Sequence, residues 1–176
     1  MIMSSLKHFP LAPAVLALLL AACATPEPPA PPAPQVRADS LIIASIKAAG
    51  DKEKSIIDVN PLREPGVTSL QDGANADVLA GRYPDAAAKL DQAIKLSPDS
   101  PDLLQDRAEV AIRLHDYAGA EKLAHHSWEL GPRLGPLCAR NWQTIVELRD
   151  RAGDQAGAAS ARKWVQKCHV EGVPRY

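Results

Sequence analysis

A chain of 176 residues with a formal charge of −1 has room for about one domain and projects no field that would gather nucleic acid. Apolar residues make up 46% of it but aromatics only 4%. Much of that apolar content is alanine, which suits closely packed helices and argues against a sheet built on β-branched and aromatic side chains.

Residues 1–22 read as an export signal: Lys7 and His8 precede an apolar run over 11–20, which ends in Ala21 and Ala22. The run is about half of the ~20 residues that span a bilayer, which argues against a permanent membrane helix. Leu20-Ala21-Ala22-Cys23 resembles the lipobox of bacterial lipoproteins: an aliphatic residue, two small residues, then a cysteine. The resemblance implies that Cys23 is acylated and heads the mature protein. Two or more acyl chains, at ~0.8 kcal/mol per buried methylene, give firm anchoring. Alanine rather than aspartate at position 24 implies sorting to the outer membrane, facing the periplasm.

Residues 23–38 continue as a linker. Pro26, Pro28, Pro29, Pro31, Pro32 and Pro34 crowd it, and proline lacks the amide donor a helix needs. An extended polyproline spacer at ~3.1 Å per residue is expected, with a ligand for a proline-binding module as the alternative. Residues 39–66 are poorly patterned. A short helix is expected over 39–49, burying Leu41, Ile42 and Ile46 and stopped by Gly50. Residues 51–65 show no clear period.

From residue 67 the chain repeats itself. Gly81, Tyr83, Ala86, Leu90, Ala93, Leu96 and Pro98 are answered by His115, Tyr117, Ala120, Ala124, Ser127, Leu130 and Pro132, each pair 34 residues apart. The pattern resembles the tetratricopeptide repeat (TPR), a helical hairpin of that length. Over 67–170 the resemblance implies an all-α solenoid of about three units, followed by a tail at 171–176. The periodicity agrees. Ala86, Leu90, Ala93 and Leu96 fall on one helical stripe, as do Leu104, Ala108, Ala111 and Leu114. Pro84, Pro101 and Pro136 suit the first turn of a helix, and Ser97-Pro98 and Gly131-Pro132 mark breaks between units.

The outer units depart from the pattern. The first offers Leu70, Gly73, Ala74 and Asp77 where larger residues are expected. The third carries about one extra helical turn before Gly153-Asp154, and Arg162 stands where the first has Leu90. An atypical terminal unit is what capping predicts, and the helix at 39–49 is expected to shield the other end.

With Cys23 lipidated, Cys138 and Cys168 remain as an even pair in an oxidising compartment. Each lies 15 residues from Gly153, so across two antiparallel helices they stand level, roughly 22 Å from the turn at 1.5 Å per residue. Cys138 shares a stripe with Trp142, Ile145 and Leu148, and Cys168 with Ala158, Ala161 and Val165. A disulfide is expected, two buried thiols being the alternative.

No catalytic residue, metal site or cofactor beyond the lipid on Cys23 is expected. His125 and His126 are adjacent, so they leave a helix on different sides and do not jointly grip a metal. His115 falls at a turn. Asp77, Asp91, Asp106 and Glu109 read as a solvated face, and Trp128, Trp142 and Trp164 as filling between helices. Arg162, Lys163, Lys167, His169 and Arg175 sit near the end of a helix, where cations suit the dipole. A phosphate or lipid-headgroup site is the alternative.

The TPR resemblance places the binding surface on the concave face lined by the first helix of each unit. That assigns Gln71 and Asn75, then Gln105, Glu109 and Arg113, then Gln143 and Glu147, each set at spacings of four. Amides pair with the main chain of a peptide, and Arg113 suits a carboxylate; an ordinary wet surface is the alternative. The function that follows is a membrane-anchored, non-catalytic adaptor recruiting a protein or peptide in envelope assembly. The analogy is with repeat lipoproteins that support secretins, outer-membrane assembly machines or cell-wall enzymes. A cell-wall or peptide-processing enzyme and a passive self-associating scaffold are the rivals.

Overall fold

Four helices of this chain begin with proline in the first or second position: α2 (Pro65–Leu79), α3 (Tyr83–Leu96), α4 (Pro101–Arg113) and α6 (Pro136–Arg151). There the missing amide costs nothing and the fixed φ is already helical. Two others, α5 (Tyr117–Leu130) and α7 (Gln155–Lys167), begin after an aspartate. Asp116 and Asp154 cap them by accepting from the Gly119 and Gly157 amides. With α1 (Asp39–Lys52) these complete the computed structural model, which describes residues 37–53 and 63–169 and, among them, no strand. The export signal, Cys23, most of the proline-rich linker and the tail lie outside the described residues.

The chain reverses inside each hairpin through one device used three times. Gly81, His115 and Gly153 have φ of 74°, 63° and 77°. The amides of Arg82, Asp116 and Asp154 reach back to the carbonyls of Asp77, Ala111 and Arg149, at 2.8, 2.9 and 2.9 Å. Six-to-one closure around a left-handed residue satisfies the orphan carbonyls at a helix end. Histidine is the one side chain to take that conformation here, at the cost left-handed backbone imposes on any residue with a Cβ.

The resulting α2–α3, α4–α5 and α6–α7 hairpins stack through small residues. Ala86, Ala93, Ala120, Ala124 and Ala158 are all fully buried where helices cross. Larger groups fill the rest: Val67, Leu90, Leu103 and Val110 between the first two units, and Trp142, Ile145 and Val146 between the last two. A disulfide joins Cys138 to Cys168, with 5.5 Å between their Cα atoms and a separation of 30 residues. Closing such a loop contributes roughly 3–4 kcal/mol.

Four expectations need correction. The helix at 39–49 does not shield the first unit; α1 lies against α6 and, over a smaller area, α4. Its buried ridge is Ile42, Ile43 and Ile46, which pack with Ile112 and Leu148, while Leu41 is 55% exposed. Gly50 does not stop the helix, which runs on to Lys52. It is there for close approach, since a Cβ would stand 2.8 Å from Cγ of Arg140 and 3.2 Å from the Pro136 carbonyl oxygen. Leu96 closes its stripe in sequence but is 62% exposed, because α3 ends there and Ala93 is the last of the stripe to be buried. On α7, Arg162 is exposed and pairs with Asp150, and Ala161 takes the inward place.

Candidate functional site

The first helices of the three hairpins, α2, α4 and α6, line one face. It carries a ladder of polar side chains that mostly answer one another. Gln71 of α2 is half-buried, accepts from Arg63 and donates to Asp106 of α4 at 2.9 Å. Gln105 has no exposed surface and donates to Thr144 Oγ1 of α6 at 3.0 Å and to Glu109 at 3.2 Å. Glu109 is buried too, and accepts from Arg140 Nε at 3.0 Å; Arg140 also donates to Asp106 at 2.9 Å. Gln143 donates to Glu147 at 2.9 Å and to Ser45 of α1 at 3.1 Å. Glu147, 3% exposed, pairs with Arg37 just ahead of α1.

The seven residues assigned to an open groove therefore divide. Gln105, Glu109 and Glu147 are enclosed, Gln143 faces α1, and Gln71 is tied to Asp106. The physical reason is distance: alanine-lined crossings bring neighbouring first helices within reach of each other's long side chains, and α1 covers α6. Only Asn75 and Arg113 keep an open side. Arg113 lies over the Tyr83 ring, 5.1 Å from its centroid, and donates to its hydroxyl at 3.1 Å. These two and Lys47 of α1 rim a cleft of about 70 Å³ over Val78, Leu90 and Val110, and the ladder's Asp106, Glu109 and Arg140 form part of its wall.

Arg140 is the residue that reading the sequence missed, and it sits at the ladder's centre. Burial opposes its charge, but Glu109 and then Asp106 outweigh that and hold the guanidinium protonated beyond its ordinary range. A signal existed. Arg140 stands 34 residues after Asp106, and the extra turn of α6 comes later, so register carried from the helix start would have found it.

The remaining candidates are structural. Of the four carboxylates expected on a solvated face, Asp91 is exposed and paired with Arg107, but Asp77 and Glu109 are buried. Lys89 and Arg82 hold the Asp77 carboxyl below the usual range. His125 and His126 do not diverge: both reach Glu129, at 3.1 and 3.5 Å. Among the described residues no group of three potential ligands gathers for a metal. Trp142 and Trp164 stack at 5.1 Å, with Trp128 edge-on to both. Lys167 caps Trp164 and Arg133 caps Trp128. The basic cluster disperses, Arg162 going to Asp150, Lys167 to Trp164 and His169 to Glu53; Arg175 lies outside the described residues.

Over residues 78–132 the chain matches the family described as tetratricopeptide repeat. Among solved structures it is similar to the globular C-terminal domain of P. aeruginosa LpoP, with 30% sequence identity and a TM-score of 0.56. That match spans 60% of this chain and 99% of that one. None of the curated proteins matches it.

Proposed function

This chain belongs to the tetratricopeptide-repeat family and shares the fold of the LpoP C-terminal domain, and from that premise we propose that it is a non-catalytic protein-binding adaptor of the cell envelope. A lipid on Cys23 holds it to the outer membrane, facing the periplasm, and the polyproline spacer carries the repeat domain clear of the surface. Its partner is a protein or peptide segment of the envelope assembly machinery; no nucleic acid and no cofactor enter the reading.

One observation carries the proposal. The cleft between α1, α2 and α4 sets Lys47, Asn75 and Arg113 around an apolar floor, on the face that stacked repeats use for binding. Asp106, Glu109 and Arg140 in the same wall are already paired with one another, which leaves Lys47, Arg113 and the Asn75 amide over valine and leucine to suit a small apolar side chain beside a carboxylate. The enzymatic reading gains nothing from the same face, because Asp106, Glu109 and Arg140 are tied to one another rather than poised toward a reacting atom.

The test compares two variants of equal charge change. Asn75→Ala with Arg113→Ala alters the cleft; Gln92→Ala with Lys95→Ala alters the exposed side of α3. Affinity capture from detergent-solubilised membranes is expected to lose the partner with the first pair and keep it with the second. Equal loss from both, or loss from neither, rejects the cleft.

A further inference from the structure

We infer that the end of the solenoid closed by α7 docks on an anionic lipid surface, through Trp164 and Leu134 set among Arg133, Lys163 and Lys167.

Charge sets α7 apart. The second helices of the other two hairpins mix signs: α3 carries Asp85, Lys89, Asp91 and Lys95, and α5 carries Glu121, Lys122 and Glu129. α7 carries Arg162, Lys163 and Lys167 and no carboxylate. Arg162 is matched by Asp150 of α6. Lys163 and Lys167 are exposed one turn apart, hence on one side of the helix. Neither meets a carboxylate among the described residues; Lys167 lies 4.1 Å over the Trp164 ring. Arg133, just ahead of α6, lies 3.8 Å over the Trp128 ring and donates to the main-chain carbonyls of Trp128 and Glu129. Glu129 itself turns its carboxylate to His125 and His126. A ring or a carbonyl leaves a cation's charge in place, so all three remain available to an anion.

What they surround is apolar. The chain has three tryptophans, and all of them gather here from three helices. Trp128 and Trp164 are 5.7 Å apart, and Trp164 stacks on Trp142 at 5.1 Å. Trp142 belongs to the core. Trp164 does not: it is 36% exposed, and Leu134 is 50% exposed. A hydrogen bond of 2.8 Å from the Gly135 amide to the Cys168 carbonyl holds the Leu134 loop against the end of α7. Indole, leucine and cations therefore form one patch, and no helix has to move for it to be reached.

An indole and a branched apolar side chain bordered by long cations match the composition of a membrane–water interface. There tryptophan sits at headgroup level, while lysine and arginine lay their stems along apolar surface and turn their charges to anionic headgroups. A saccharide fits less well, because Trp142 and Lys167 take the faces of the Trp164 ring on which a sugar would stack.

The test uses the full chain with Cys23→Ser, so that no acyl chain attaches it. Vesicles of equal parts phosphatidylglycerol and phosphatidylcholine are compared with phosphatidylcholine alone. Co-flotation is expected to be at least about tenfold greater with the first, and to weaken as salt rises. Brominated acyl chains are expected to quench the tryptophan emission, all of which comes from this patch. Lys163→Gln with Lys167→Gln is expected to lower binding about tenfold. Lys95→Gln with Lys122→Gln, the same charge change on α3 and α5, is expected to leave it unchanged. Both pairs are exposed, and circular dichroism checks that each variant keeps its helices. Equal binding to both vesicles, an equal fall from both pairs, or flotation without quenching overturns the proposal. Release by inorganic phosphate, but not by sodium chloride of equal ionic strength, would assign the cations to a free anion and overturn it too.

Discussion

The two ends of the concave face are made from the same repeat and finished in opposite ways. At the α6 end, Gln143 and Glu147 are met by Ser45 and Arg37, and a ridge of three isoleucines lies on top. At the α2 end, Asn75 is exposed and Arg113 leans on Tyr83 beside an open cleft. A repeat fixes where a side chain emerges. What it does there depends on whether a neighbouring helix or water meets it, so equivalent positions become glue at one end and a candidate contact surface at the other.

The largest effect expected from breaking this contrast is at Arg140. Removing it by Arg140→Ala leaves Glu109 buried and Asp106 part-buried without their cation, and loss of one partner of a buried pair costs about 3 kcal/mol or more. Urea denaturation of Arg140→Ala set beside Arg113→Ala measures the difference. The second variant, at the open end, is expected to stay within about 0.5 kcal/mol of the native chain, as surface changes do. Equal losses would mean that the two ends are not built differently.

Acid sharpens the comparison in the first unit, which no disulfide fastens. Lys89 and Arg82 keep the Asp77 carboxyl below its ordinary value, so the folded state binds its proton less readily than the unfolded chain. That contribution is fully present above the ordinary carboxylate range, near about 4, and is lost as pH falls through the lowered folded value. Asp77→Asn is expected to be less stable at neutral pH and to show a flatter decline below about pH 4 than the native chain. Parallel acid curves would place the pair's contribution elsewhere.

The smallest effect is at the middle turn. His115 holds φ of 63° where the other two units have glycine. His115→Gly relieves left-handed strain but gives up contacts with Asp39 and Tyr117. The net is a gain of about 0.5 kcal/mol in thermal or urea unfolding. A loss of stability would show that the contact to α1 outweighs the backbone.

Much of this architecture was legible in the residues themselves. The 34-residue echo, the alanine stripes and the prolines that open α4 and α6 identify stacked helical hairpins, because small residues at fixed spacing are what a close crossing requires. The polar half of the site was less legible. Gln105 and Glu109 repeat at four-residue spacing like any wet stripe, and nothing local reveals that Arg140 and Thr144 come within hydrogen-bond distance of them. Ile42, Ile43 and Ile46 announce an amphipathic helix, but amphipathicity names a face and not the surface it meets. That surface, Ala111, Ile112, Ala120 and Leu148, lies far downstream on other helices and is set by tertiary packing alone.

The central claim is that the open end of the concave face is where a protein partner is held. A photoreactive amino acid placed at Asn75 in living cells tests it most directly, with the same group at Gln92 on the exposed side of α3 for comparison. Ultraviolet light is expected to join the chain covalently to a discrete envelope protein from position 75 and to leave position 92 unlinked. The same adduct from both positions, or from position 92 alone, would contradict the account.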